Sequence, residues 1–279
     1  MVLAMAAFAL ADTLVKIAAS FASPPQVLLF LMGGGLISFA LIAIFRSDRL
    51  TDPKALYLPI LLLRYLSEIM GMVSMILALT YVPLSTVGAI TQAAPILVAV
   101  GAVLLLNETV SWRRWTAIAV GFIGVLMVIQ PTGEDFDISI SWAVLAAIGL
   151  AGRDLTTRMT PQDIPSASLA TYTMFAAIPV ALLWLAYDGD ALIPEQTNWW
   201  IVLPMILLGS LGYLLLIAAL RTTDTSVVTP FRYSRIIFLM IMGILIFDER
   251  PSFMMLAGAG LIIASGVYMM WREQRLRKQ

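Results

Sequence analysis

Ten stretches of about twenty mostly apolar residues follow one another along this chain, and that pattern leaves few folds open. They lie at 2–22, 25–45, 57–79, 84–106, 112–130, 139–158, 167–187, 198–220, 226–247 and 251–271. A helix of this length spans the hydrocarbon core of a bilayer. Backbone groups in lipid must satisfy one another, so an apolar stretch of that size enters the membrane as a helix. The expected fold is an all-α integral membrane protein of ten transmembrane helices. Composition agrees: 61% of residues are hydrophobic and 12% charged, against about 25% charged in a soluble domain. The breaks carry turn chemistry, as in Ser23-Pro24-Pro25, Tyr81-Val82-Pro83, Pro131-Thr132-Gly133 and Asp188-Gly189-Asp190. No loop between spans is long enough for a soluble domain. Residues 1–279 read as one membrane domain, with 272–279 as a basic tail.

Several functions are excluded early. The chain has no Cys, hence no disulfide or thiolate site, and no His, the commonest general base and metal ligand. Net charge is zero, which gives nucleic acid nothing to bind. No G-x-x-x-x-G-K phosphate loop is present, so direct drive by ATP is unsupported. No cofactor or metal is expected. The apolar run from Val2 to Phe21 lacks a preceding basic segment and contains Asp12 and Lys16, so it reads as a first span rather than a cleaved signal.

Orientation follows from Lys and Arg, which concentrate in cytoplasmic loops. With the N-terminus inside, the inner side holds Arg46, Arg49, Lys54, Arg113, Arg114, Arg158, Arg221, Arg272, Arg275, Arg277 and Lys278, and the outer side only Arg250. Both termini are expected in the cytoplasm of a bacterial cell, the protein in the inner membrane, and loops 131–138 and 188–197 outside.

An internal repeat organises the chain. Residues 71–130 align without gaps on 212–271. Gly71 meets Gly212, Ala78-Leu79 meets Ala219-Leu220, Ser85 meets Ser226, Glu108 meets Glu249 and Trp112 meets Phe253. With a one-residue shift, Asp12 and Lys16 meet Asp154 and Arg158. Each half, 1–130 and 139–271, thus has five helices. An odd number per repeat inverts the second half in the membrane, the architecture of alternating-access carriers.

On these residues the chain resembles the drug/metabolite transporter superfamily, in its EamA-type branch. The first copy carries Ala78-Leu79-Thr80-Tyr81-Val82-Pro83-Leu84-Ser85, Pro95, Glu108, Gly121 and Gly124; the second carries Ala219-Leu220, Ser226, Glu249, Gly258, Gly260 and Gly266. The second copy departs at Arg221, Thr222 and Asp224, and has Ile236 where the first has Pro95. The stretch Thr229-Pro230-Phe231-Arg232-Tyr233-Ser234-Arg235 is similar to a bacterial subgroup with members described as metabolite or riboflavin transporters. The resemblance implies ten helices in two five-helix repeats and a transport function, and leaves the substrate open.

Eight charged side chains lie well inside the spans: Asp12, Lys16, Arg64, Glu68, Arg153, Asp154, Arg232 and Arg235. Each costs roughly 2.5–3.5 kcal/mol at the bilayer centre by insertion scales, so they are expected to face the bundle interior or a wet cavity and not lipid. Asp12 and Lys16, and likewise Arg64 and Glu68, are four apart and share a helix face. Each pair can neutralise itself or serve a site, and Asp12, Lys16 and Glu68 are the candidates for a coupling group or core ion pair. Arg153, Asp154 and Arg158 are expected to snorkel to the inner interface. Arg232 and Arg235 are the leading substrate ligands, because Arg presents a planar fork to a carboxylate or phosphate. Their structural alternative is an ion pair with Glu68 or Asp12. Arg64, Tyr65, Glu68, Gln92 and Tyr233 complete the expected substrate site. Trp184, Phe231 and Phe238 are candidates for a stacking wall. Glu108 and Glu249 are expected to cap or pack at helix ends.

The expected function is a secondary carrier, not an enzyme, with a small-molecule substrate and the lipid bilayer as partners; monomer and homodimer both stay open. Five interior cations against three anions favour an anionic or zwitterionic metabolite such as an amino acid or organic acid. A larger aromatic metabolite such as riboflavin is the alternative. A membrane-embedded enzyme or a channel is the alternative of another class.

Overall fold

A computed structural model describes residues 1–46, 58–106, 112–130, 137–160, 164, 166–222 and 229–277. The described elements are helical: α1 Val2–Ala18, α2 Pro24–Arg46, α3 Pro59–Tyr81, α4 Leu84–Thr91, α5 Ala94–Leu106, α6 Trp112–Ile129, α7 Ile140–Arg158, α8 Ser166–Asp188, α9 Trp199–Thr222, a 3-10 helix Thr229–Tyr233, α10 Ser234–Phe247 and α11 Phe253–Arg277. The fourth span is α4 and α5 together, and the ninth is the 3-10 turn and α10. With those two joined, the ten expected spans are present. Five of them are long and apolar enough to cross a membrane by length and composition alone, and shorter apolar helices cover Trp115–Ile129 and Phe253–Met269.

Large apolar side chains point outward along the bundle: Leu3, Leu66, Leu104, Leu183 and Leu245 are each more than 60% exposed. In water that surface would be a large apolar patch; against lipid it is the ordinary outer face of a spanning helix.

The helices pair across the two halves in a reciprocal way. The third span α3 packs on the sixth, α7, and the eighth span α9 packs on the first, α1. The first span α1 also packs on α10, and correspondingly α7 packs on α4 and α5. Spans that are their own counterparts pair with each other: α2 with α8, α6 with α11, and α4 with α10. Small residues set the closest crossings. A Cβ on Gly149 of α7 would stand 2.5 Å from the Cα of Gly71 on α3. The repeat partner of Gly71, Gly212 on α9, faces α1, where a Cβ would stand 2.9 Å from the Phe8 ring.

Both broken spans are interrupted at the same register of the repeat, Gln92-Ala93 in the fourth and Tyr233-Ser234 in the ninth. In the fourth the cause is Pro95. It has no N–H for the carbonyl of Thr91, and its ring crowds that carbonyl, so α4 stops there and α5 restarts with Pro95 in its first turn. The ninth has Ile236 at that place and instead enters through a 3-10 turn containing Pro230. The last helix runs past the expected end at 271 and carries part of the basic tail as helix.

Candidate functional site

The eight interior charges fall into three groups. The largest runs from α3 through α7 to the ninth span. Arg64 holds Glu68 at 3.2 Å. Arg153 reaches Glu68 at 3.5 Å and Asp154 at 2.8 Å. Arg232 stands 3.6 Å from Asp154. Arg64 and Glu68 are buried. Arg64 further donates to the hydroxyls of Thr157 at 3.0 Å and Thr173 at 2.6 Å. All three of its nitrogens are therefore engaged, tying α3 to α7 and α8. Its guanidinium also lies 5.8 Å from the Tyr65 ring.

The expected snorkelling of Arg153 and Asp154 is corrected here. Both turn inward and carry the centre of the network, with side chains 21% and 24% exposed. An inward Asp154 gives Arg153 and Arg232 a counter-charge that water at the interface would screen. The repeat held the signal: Asp154 is the counterpart of Asp12, and one interior carboxylate implies the other. Arg158, by contrast, ends α7 and is exposed.

The second group is Asp12 with Arg235. Two nitrogens of Arg235, Nε at 3.1 Å and one terminal nitrogen, donate to the same Asp12 oxygen. The guanidinium sits 5.4 Å from the Phe8 ring, a partner the sequence did not indicate. The two arginines thus diverge from the break in the ninth span. Arg232, in the 3-10 turn, takes the carboxylate of the sixth span, and Arg235, in the α-helix, takes its repeat counterpart in the first.

The third group is Lys16, which does not pair with Asp12. Its Nζ donates to the carbonyls of Leu79 at 3.1 Å and Val82 at 2.6 Å, and lies 5.4 Å from the Phe247 ring. Those carbonyls end α3 and have no partner within their own helix, so a cation there satisfies them and complements the negative helix end. Glu249 performs the opposite service nearby. It accepts from the backbone N–H of Leu84 and of Ser85 and from the Ser85 hydroxyl, capping α4 from the other half of the molecule. The expected capping role of Glu249 is thus realised, while Glu108 lies outside the described residues.

The remaining candidates join the packing between the broken spans. Gln92 donates its side-chain amide to the carbonyl of Arg232 at 2.8 Å, so one helix break is bonded to the other. Tyr233, its counterpart in the repeat, is buried, and its hydroxyl lies so close to Gly266 of α11 that a Cβ there would collide with it. That hydroxyl has no hydrogen-bond partner among the described residues. Of the three candidates for a stacking wall, two take ordinary packing positions and the third faces outward. Trp184 and Phe238 pack against the apolar core, and Phe231 is 51% exposed. A cavity of about 440 Å³ opens at the opposite ends of the helices, lined by Tyr81, Ser85, Thr86, Gln130, Glu249 and Arg250 among others.

Ten helical spans and charges paired in an interior between two reciprocal halves define a multi-pass membrane carrier. The chain belongs to the EamA-like transporter family, whose model matches residues 1–130 and 137–271. It is a small-metabolite transporter and not an enzyme. An S-adenosylmethionine uptake transporter of Rickettsia bellii is 29% identical over 223 residues, 77% of this chain and 73% of that one. A riboflavin transporter of Brucella anthropi is 30% identical over 202 residues, 71% of each chain. A crystal structure of a protein 15% identical in sequence superposes with a TM-score of 0.63, covering 99% of this chain and 97% of that one, which shows the shared fold.

Proposed function

We propose that this protein carries an amino-acid-bearing metabolite of the S-adenosylmethionine type, with a zwitterionic head group, by alternating access. The two five-helix repeats, 1–130 and 139–271, rock about a site on the charged network, with both termini in the cytoplasm of a bacterial cell. The observation that carries the reading is the network itself: Arg64, Glu68, Arg153, Asp154 and Arg232, with Arg235 and Asp12 beside it, all within the bundle. Buried ion pairs are poor stabilisers compared with apolar packing, so a cluster of them has another use. A ligand bearing both signs of charge finds a partner here for each. Relatives named as S-adenosylmethionine transporters support that chemistry. Riboflavin, the alternative, is supported by the names of other relatives. It offers a large neutral ring system, while the candidate stacking residues Trp184 and Phe238 pack against the apolar core and Phe231 is exposed.

The test is uptake of radiolabelled S-adenosylmethionine into proteoliposomes holding the purified protein. Saturating uptake with accelerated counterflow is expected. Absence of uptake, or flux that rises linearly with concentration, overturns the reading, and saturable riboflavin uptake in its place establishes the alternative.

A further inference from the structure

Among the ion pairs of the described residues, Arg232 with Asp154 is the longest, at 3.6 Å, and its side chains are the most open, at 34% and 24% exposed. Each end is nevertheless held. Arg153 binds the Oδ1 of Asp154 through two nitrogens, at 2.9 and 2.8 Å, leaving Oδ2 turned toward Arg232. The backbone of Arg232 is fixed by the amide of Gln92, while its guanidinium is beyond hydrogen-bond distance of the carboxylate. A cation and an anion are thus presented side by side with their contact stretched.

We infer that the head group of an α-amino acid inserts into this pair, its carboxylate on Arg232 and its ammonium on Asp154 Oδ2. The inference rests on the proposed function and assigns its recognition element. An α-amino acid carries its two charges one carbon apart, so it replaces one stretched contact by two charge-assisted hydrogen bonds. The head group itself is neutral overall, so it meets both Arg232 and the free Oδ2 of Asp154 without upsetting the balance of charge between them. An acid without the amine occupies Arg232 but leaves Asp154 Oδ2 without a partner, and an amine without the acid leaves the Arg232 guanidinium without one. The rest of the metabolite extends away from the pair. The hydrogen-bonded pair of Arg235 with Asp12 stays shut, and it and the more buried contact of Arg64 with Glu68 hold the helices that frame the opening.

The test uses the wild-type protein in proteoliposomes and reads competition against labelled S-adenosylmethionine. S-adenosylhomocysteine, which keeps the head group, is expected to compete. The decarboxylated and the deaminated analogues of S-adenosylmethionine are each expected to compete roughly tenfold or more weakly, the loss of one bond to a charged group. Two variants then assign the halves. In Asp154→Asn the deaminated analogue loses no further ground to the parent, and in Arg232→Gln the same holds for the decarboxylated one. Equal competition by either analogue in the wild type overturns the inference even when S-adenosylmethionine uptake is saturable, which leaves the proposed function standing. If S-adenosylmethionine is not carried at all, thermal unfolding of the purified protein against a panel of α-amino acids and their amine and acid counterparts decides. Stabilisation by an amino acid and by neither counterpart supports the head-group site, and no such selectivity overturns it.

Discussion

Asp12 and Arg235 make an isolated pair among the described residues, so breaking it leaves one charge with no substitute partner. Their side chains are 13% and 22% exposed, and no other cation among the described residues lies within ion-pair distance of Asp12. Replacing Arg235 with Ala strands the carboxylate in the interior, where an unpaired charge costs about 3–5 kcal/mol. The expected outcome is a large fall in the thermal unfolding midpoint for Arg235→Ala and for Asp12→Ala, and recovery of most of it in the double variant, which leaves neither charge behind. Additive losses in the double variant would show that the two act separately. At this scale the sequence told which charges are interior and was weaker on who meets whom. Arg64 with Glu68 was readable because i,i+4 neighbours on a helix face are fixed by helix geometry. The same spacing left Asp12 and Lys16 open: the ion pair of Asp12 with Arg235, named as the structural alternative for the arginines, is the one formed, and the open carbonyls at the end of α3 take Lys16.

The helices owe their closest contacts to residues without side chains, and that gives a prediction with its own control. A methyl on Gly149 would meet the α3 backbone at Gly71 at 2.5 Å, with backbone unable to turn aside, whereas a methyl on Gly260 would meet nothing within 4 Å. Gly149→Ala is expected to force α3 and α7 apart at a cost of about 1–3 kcal/mol, while Gly260→Ala leaves the unfolding midpoint unchanged or slightly raised. Equal midpoints for the two variants would refute the close crossing. A second prediction concerns Glu249, which caps α4 with a full negative charge. Glu249→Gln keeps the shape and loses the charge-assisted bonds to Leu84 and Ser85, and a loss of about 1 kcal/mol is expected in the same measurement. Helix existence was legible nearly everywhere because a span announces itself by length. The break after Thr91 was half legible: Pro95 marked a disturbance, and the stop one turn earlier follows from the carbonyl it cannot serve. The matching break at Tyr233-Ser234 was less so, because no proline stands at 236 and the local signal, Pro230, lies a turn earlier, inside the 3-10 entry.

Across the whole molecule, spans of the first half pair reciprocally with spans of the second, and the charged network lies where the two meet. It was foreshadowed by the alignment of 71–130 on 212–271, since residues that repeat in sequence repeat their neighbours in space: Gly71 packs on the sixth span as Gly212 packs on the first. Sidedness is the property that must follow if all ten spans cross. Asp190, after the seventh span, and the end of the chain at Gln279, after the tenth, are separated by three spans, so they lie on opposite faces whichever way the protein is inserted. Which face is which depends on the Lys and Arg bias, which sets 188–197 outside and the basic tail inside. The chain has no native Cys, so single cysteines report without background. With a membrane-impermeant maleimide, Asp190→Cys is expected to label in intact cells and Gln279→Cys only after the membrane is opened. Labelling of both in intact cells, or of neither, would mean that an even number of crossings separates them and would break the ten-span architecture. Labelling in the reverse order would keep the architecture and invert the orientation. It would also turn the network of Arg153, Asp154 and Arg232, which sits nearer the ends of the sixth and ninth spans that face the basic loops, from the inner to the outer half of the membrane.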